Sequence, residues 1–221
     1  MRETSIETIV RVIEAMKLSH PTRVAIDGRT ASGKTTLADE IADTLRRRGR
    51  SVIRTSIDGF HRPKAERYAR GRNSPEGYYF DARDWAAVKY FLLNPLGPDG
   101  DLCYRTITFD LEADAPVKDE PKLALADDVL IVDGTFLQRR ELQSAWDLTV
   151  YVDVPEELAA ARGTQRDADR LGGPASAATL YRERYQPAFL IYQQSCDPMA
   201  IADIVFDNTV FPEAVVRVRR A

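Results

Sequence analysis

The residues best suited to chemistry in this chain are Gly28-Arg29-Thr30-Ala31-Ser32-Gly33-Lys34-Thr35. They read G-x-x-x-x-G-K-T, the spacing of a phosphate-binding P-loop. Two glycines let the backbone curl until several N–H groups point at one anion. Lys34 can reach the outer phosphates, the Thr35 hydroxyl can ligate Mg²⁺, and Thr36 continues the first helical turn beneath them. Two acids stand at the ends of apolar runs. Asp58 follows Ser51–Ile57 and can take a proton from a hydroxyl. Asp133 closes Val129-Leu130-Ile131-Val132, a Walker B pattern whose carboxylate faces the metal. Arg162, Arg166 and Arg170 recur every four residues, so one helix face carries three cations.

These groups need elements to position them. Thr22–Asp27 reads as a buried strand before the loop. Leu37, Ile41 and Leu45 mark an amphipathic helix after it, whose N-terminus adds its dipole to the anion site. Strands are predicted at 51–57, 102–109, 129–134, 146–154, 201–206 and 215–218. Residues 1–20 hold an N-terminal helix, patterned by Ile6, Ile9, Val10 and Ile13. Residues 61–83 are polar and too long for an ordinary connection, so they form a substrate-side insertion with scope for a hairpin. Asp84 is expected to cap a helix over 85–93. Residues 162–174 form a lid region, broken at Gly172-Gly173-Pro174, and Pro187 should kink the helix that follows. The acidic stretch 110–121 is read as a mobile connection.

The 221 residues, 44% hydrophobic, suit a single domain with its own core. A net charge of −3 argues against bulk binding to nucleic acid. No apolar run is long enough to span a membrane. Cys103 and Cys196 offer no metal or disulfide spacing, which favours a reduced, cytoplasmic setting.

Together, the P-loop, Asp58-Gly59-Phe60-His61, Tyr79-Phe80-Asp81 with Asp84-Trp85, Val132-Asp133-Gly134, Arg166-Asp167, Gln186-Pro187-Ala188-Phe189 and Ala202-Asp203-Ile204-Val205 resemble the uridine kinase family. That family is related to phosphoribulokinase and bacterial pantothenate kinase. The resemblance covers roughly residues 22–206. It implies an ATP- and Mg²⁺-dependent kinase acting on a small-molecule hydroxyl. Asp58 would match the general base, Lys34 and the loop amides the phosphate cradle, and Arg166 a lid arginine. The chain departs from the family pattern in four places, one being Gly172-Gly173, near where the family has further lid arginines. His61 stands where Tyr is usual, Asp133 stands where Glu is usual, and no base-contacting His follows Tyr104. Self-association is common in the family.

The expected fold is α/β, a mostly parallel five-stranded sheet wrapped by helices, with a lid and a substrate insertion. The expected reaction is in-line transfer of the ATP γ-phosphoryl group. Catalysis falls to Asp58, Lys34 and Arg166, with Arg162 or Arg170 assisting. The metal falls to Thr35 and Asp133, and the acceptor pocket to Asp58, Phe60, His61, Tyr79, Phe80, Arg83 and Tyr104. A nucleoside is the first acceptor to consider. A sugar, pantothenate-like or other metabolite is the second. An ATP-gated binding protein is the alternative from another class; a GTP switch is disfavoured because no Asn-Lys-x-Asp motif is present.

Overall fold

The computed structural model describes residues 1–118 and 120–219. Its centre is a six-stranded sheet. The strands are β1 (Thr22–Gly28), β2 (Val52–Ser56), β3 (Val129–Asp133), β4 (Leu148–Asp153), β5 (Ile204–Asp207) and β6 (Val215–Val218), in spatial order β6-β5-β4-β1-β3-β2. Five of these are mutually parallel, as the sequence pattern requires, and β6 adds an antiparallel edge. β1 and β3 are buried along their whole length. Strands covered on both faces read as continuous apolar runs rather than alternating ones.

Helices cover both faces. α1 (Arg2–Ala15) and α2 (Lys34–Arg47) bury Ile9, Val10, Ile13, Leu37, Ile41 and Leu45 against Val24, Ile26, Val129 and Val150. Each fully buried aliphatic chain there contributes about 1.5–3 kcal/mol. α3 (Trp85–Val88) runs on through a wide π turn, Lys89–Leu93, and packs Val88, Leu92 and Leu93 on the opposite face with Phe60, Leu130 and Val132. Asp84 caps α3 by accepting the Ala87 N–H at 2.9 Å. α4 (Glu156–Leu171), α5 (Pro174–Leu180) and α6 (Gln186–Cys196) form the third group. Beneath α6 lies an aromatic cluster that includes Tyr78, Tyr79, Phe136, Tyr151, Phe189 and Tyr192.

Two expectations are corrected. Residues 102–109 do not form a sheet strand. Cys103–Tyr104 pairs with Lys122–Leu123, and Phe109–Asp110 pairs with Ala115–Pro116, in two small ribbons outside the main sheet. Between them the backbone is diverted, since Arg105 N–H donates to Phe91 and Thr108 N–H to Gly59. The insertion after Asp58 holds no hairpin. It contains a helical turn, Lys64–Arg67, and a π turn, Gly77–Asp81. Its polar backbone closes locally, with Tyr68 N–H on Lys64 and Tyr78 N–H on Ser74. The expectation of mobility at 110–121 includes Asp119, which lies outside the described residues. The break at Pro187 is taken up by a π turn, Tyr181–Tyr185, immediately before α6. Proline cannot donate to the preceding turn, and a widened turn absorbs that loss.

Candidate active site

Register brings the candidate groups to one edge. Ile26 pairs with Asp133, and Asp133 pairs with Ser56, at the C-terminal ends of β1, β3 and β2. The P-loop leaves β1 at that level, and Asp58 follows β2 in a single 3₁₀ turn, Ile57–Phe60. In open α/β sheets this carboxyl edge is the ligand crevice. A cleft of about 100 Å³ forms there, lined by Lys34, Thr35, Asp58, Asp133 and Arg166 together with Tyr78, Arg83 and Thr135.

The P-loop arches between strand and helix. Gly33, at φ +94°, forms the N-cap of α2. A Cβ there would meet the Asn208 side-chain nitrogen at 2.4 Å. Asn208 Nδ2 donates to the Ser32 carbonyl at 2.8 Å, while its Oδ1 accepts from Arg2 at 2.8 Å. The loop is therefore held from behind by the segment after β5. Among the described residues the buried Ser32 hydroxyl has no hydrogen-bond partner. Lys34 Nζ donates to the Arg29 carbonyl at 2.7 Å. Burial lowers the Lys34 pKa, against the opposing pull of Asp133 and Asp27. The Arg29 side chain turns away, pairing with Glu156 and stacking on Phe189.

Thr35 Oγ1 donates to Asp133 Oδ2 at 2.6 Å. Asp133 Oδ1 faces Arg54 Nη1 at 2.7 Å, and Arg54 Nε also donates to Asp39 at 2.8 Å. A threonine hydroxyl and a carboxylate are the hard oxygen donors that Mg²⁺ takes, few in number because the ion keeps waters and phosphate oxygens. This donor set fits that ion. Thr36 lies on the exposed first turn of α2.

Asp58 is 61% exposed at the cleft, and its Oδ1 accepts from Arg83 Nη2 at 2.8 Å. Burial of its surroundings opposes the charge, but Arg83, His61 and Lys34 outweigh it and hold the carboxyl below its ordinary pKa. His61 Nδ1 lies 2.8 Å from the Asp58 carbonyl. The wall next to Asp58 is strand-like: Arg62 N–H donates to Ala82 and Asp84 N–H to Phe60.

Arg166 reaches the cleft while bound to its neighbour Asp167 through Nε and Nη2, both at 2.9 Å. Arg162 and Arg170 are not part of that lining. Arg162 donates to the Asn208 and Thr209 carbonyls, and Arg170 pairs with Asp167 at 3.4 Å on the exposed side. Gly172 and Gly173, both at positive φ, hand α4 over to α5. There Arg72 and Asn73 of the insertion line a groove of about 380 Å³ with Leu171 and Thr179. The two parts are tied by Asn73 to Glu183 and Arg184 to the Arg72 carbonyl.

The expected aromatic pocket does not assemble. Phe60 is fully buried, Tyr79 packs on Phe136 with its hydroxyl on Ser195, and Tyr104 joins the core beside α3. Phe80 stands outward, 46% exposed. Burial wins these rings because each removes far more apolar area from water than a half-open pocket would. Arg54, Thr135 and Asn208 were not singled out by the sequence. A cation on β2 two residues before the strand end was the only available sign of Arg54.

A P-loop opening a helix, a Walker B acid beside it and a second carboxylate on the same sheet edge define a P-loop kinase fold. Residues 24–213 match the model of the phosphoribulokinase/uridine kinase family, and the chain belongs to that family. It is 28% identical over 176 residues to uridine-cytidine kinase B of Dictyostelium discoideum, covering 77% of this chain and 68% of that protein. It is 26% identical over 203 residues to a uridine kinase of Limosilactobacillus reuteri, covering 84% and 82%. A structure described as a possible uridine kinase from Bacillus stearothermophilus superposes with TM-score 0.73 at 27% identity, covering 93% and 98%. Phosphoribulokinase from Rhodobacter spheroides shares the fold, with TM-score 0.63 at 18% identity, covering 91% and 81%. The chain is a small-molecule phosphotransferase, and the family implies ATP as its phosphoryl donor. Among the described residues no helix is long and apolar enough to cross a membrane.

Proposed function

We propose that this chain is a uridine kinase-like enzyme that moves the γ-phosphoryl group of ATP to a hydroxyl of a nucleoside. One observation carries the reading: Lys34, Thr35, Asp58, Asp133 and Arg166 line one cleft at the carboxyl edge of a P-loop sheet. The loop N–H groups and Lys34 hold the phosphates. Thr35 and Asp133 would hold Mg²⁺, which draws charge from the phosphates when bound. Asp58 orients the acceptor hydroxyl and takes its proton. Arg166 exchanges Asp167 for the transferring phosphoryl group and stabilises the charge that develops there. Closure of α4 over the P-loop excludes water and suppresses hydrolysis.

A second reading keeps this chemistry and changes the acceptor to a sugar, a pantothenate-like compound or another polar metabolite. The burial of Phe60, Tyr79 and Tyr104 favours it, because few flat apolar faces are left to stack a base. ADP release measured with ATP, Mg²⁺ and a panel of nucleosides, pantothenate, pentose phosphates and sugars decides between them. Uridine- or cytidine-dependent release supports the first reading, and release only with another acceptor supports the second. Lys34→Ala should abolish transfer. Asp58→Asn should keep ATP binding and lower kcat by about 10²-fold or more. ATP binding with no transfer to any acceptor, joined to tight retention of one protein, would instead favour a nucleotide-gated binding protein.

A further inference from the structure

Four buried arginines surround the insertion: Arg67, Arg83, Arg139 and Arg184. Three of them are anchored by the backbone. Arg67 donates to the Arg62 carbonyl, Arg139 to Tyr79 and Arg184 to Arg72. Arg83 differs. It is 4% exposed, and its one hydrogen bond within the described residues goes to Asp58. Among the described residues its Nε and Nη1 have no hydrogen-bond acceptor, and its guanidinium lies over the Tyr78 ring at 5.2 Å. Burying a cation is costly unless a counter-charge meets it. Here that counter-charge is a carboxylate that itself opens onto the cleft.

The backbone fixes this pair. His61 and Arg83 are bridge partners, flanked by the Arg62–Ala82 and Asp84–Phe60 hydrogen bonds. The Arg83 Cα is thereby tied to the turn that carries Asp58. A guanidinium nitrogen on Oδ1 anchors that oxygen with a charge-assisted hydrogen bond and leaves Oδ2 for another donor.

We infer that Arg83 is a positioning residue for phosphoryl transfer, acting through Asp58 rather than by touching the acceptor. It holds Oδ1 so that Oδ2 meets the hydroxyl of the incoming acceptor. This inference rests on Asp58 being the proton acceptor.

The test is a double-mutant cycle on kcat with Arg83→Met, Asp58→Asn and the pair, read with whichever acceptor the panel identifies. Arg83→Met should lower kcat by roughly a hundredfold, the scale of a misplaced reacting group, with KM for ATP unchanged. In the Asp58→Asn background the same change should alter kcat by less than about twofold, since the two act as one unit. Arg83→Lys should recover part of the loss by restoring the charge. If Arg83→Met does not fold, as judged by circular dichroism, Arg83→Gln, which keeps a neutral hydrogen-bond donor in the same place, replaces it in all arms of the cycle with the same expected pattern. Losses that multiply, or an Arg83→Met enzyme at full kcat beside a slow Asp58→Asn enzyme, overturn the inference alone. An Asp58→Asn enzyme at near wild-type kcat removes the proton-acceptor reading and this inference with it.

Discussion

Thr35 and Asp133 meet directly, the hydroxyl of one donating to the carboxylate of the other at 2.6 Å across 98 positions of sequence. The contact joins the first turn of α2 to the end of β3. If the two share a metal, losing either oxygen should cost the same function. Thr35→Ala and Asp133→Asn should each lower kcat/KM by roughly a hundredfold. Each should also shift the Mg²⁺ dependence to higher concentration. Asp133→Glu, which keeps the carboxylate, should retain most activity. A Mg²⁺ titration that superposes for Thr35→Ala and wild type would remove Thr35 from the metal site.

His61 makes stability depend on acidity. Burial, with Arg83 adding its charge, pushes its pKa from 6.5 down to about 4. A carbonyl only accepts, so Nδ1 facing Asp58 carries the hydrogen and the ring is neutral at pH 7. On unfolding the ring regains its ordinary affinity for a proton. Between pH 6.5 and 4 the unfolded chain thus binds a proton that the folded chain refuses. Stability is full above that window and falls as pH drops through it. From pH 7.5 to 5 this one group should remove about 2 kcal/mol. Urea unfolding at both values should show a smaller loss for His61→Gln than for wild type; equal losses would contradict the assignment.

Asn208 braces the P-loop through the Ser32 carbonyl. Asn208→Ala leaves that buried acceptor unpaired, at a cost of about 1–3 kcal/mol. The expected outcome is a lower melting temperature and a several-fold weaker nucleotide affinity. Calorimetric titration with ATP checks the second part. Unchanged affinity in a destabilised protein would make Asn208 a structural brace only.

α4 approaches its neighbour at Gly163, where an added Cβ would lie 2.0 Å from the Tyr181 ring. Tyr181 also donates to Asp167 at 2.8 Å, the residue that holds Arg166. Gly163→Ala must push α4 off Tyr181, at about 1–3 kcal/mol for the strain. Because that shift displaces the Asp167–Arg166 pair, kcat should fall while acceptor-free ATP binding persists. An active Gly163→Ala enzyme of normal stability would show that the two segments separate freely.

The parts legible in the sequence were those with short-range causes. The P-loop is eight consecutive residues, and the apolar stretches Val24–Ile26 of β1 and Val129–Val132 of β3 run up to the site. α2 was marked by Leu37, Ile41 and Leu45, all fully buried. The reading weakened where a residue type has two uses. Phe60, Tyr79 and Tyr104 are as good for a core as for a pocket wall, and packing took them. Arg162 shares the spacing of Arg166, but distant carbonyls hold it elsewhere. Asn208 left no local trace, because its partner Ser32 lies 176 positions away.

That distance has a consequence during synthesis. The P-loop emerges from the ribosome early, yet the side chain that secures its carbonyl arrives 176 residues later. At ordinary elongation rates the gap is roughly ten to thirty-five seconds. Through that interval β1 and α2 are present without their rear support. The loop gains that support only once the segment after β5 has been made.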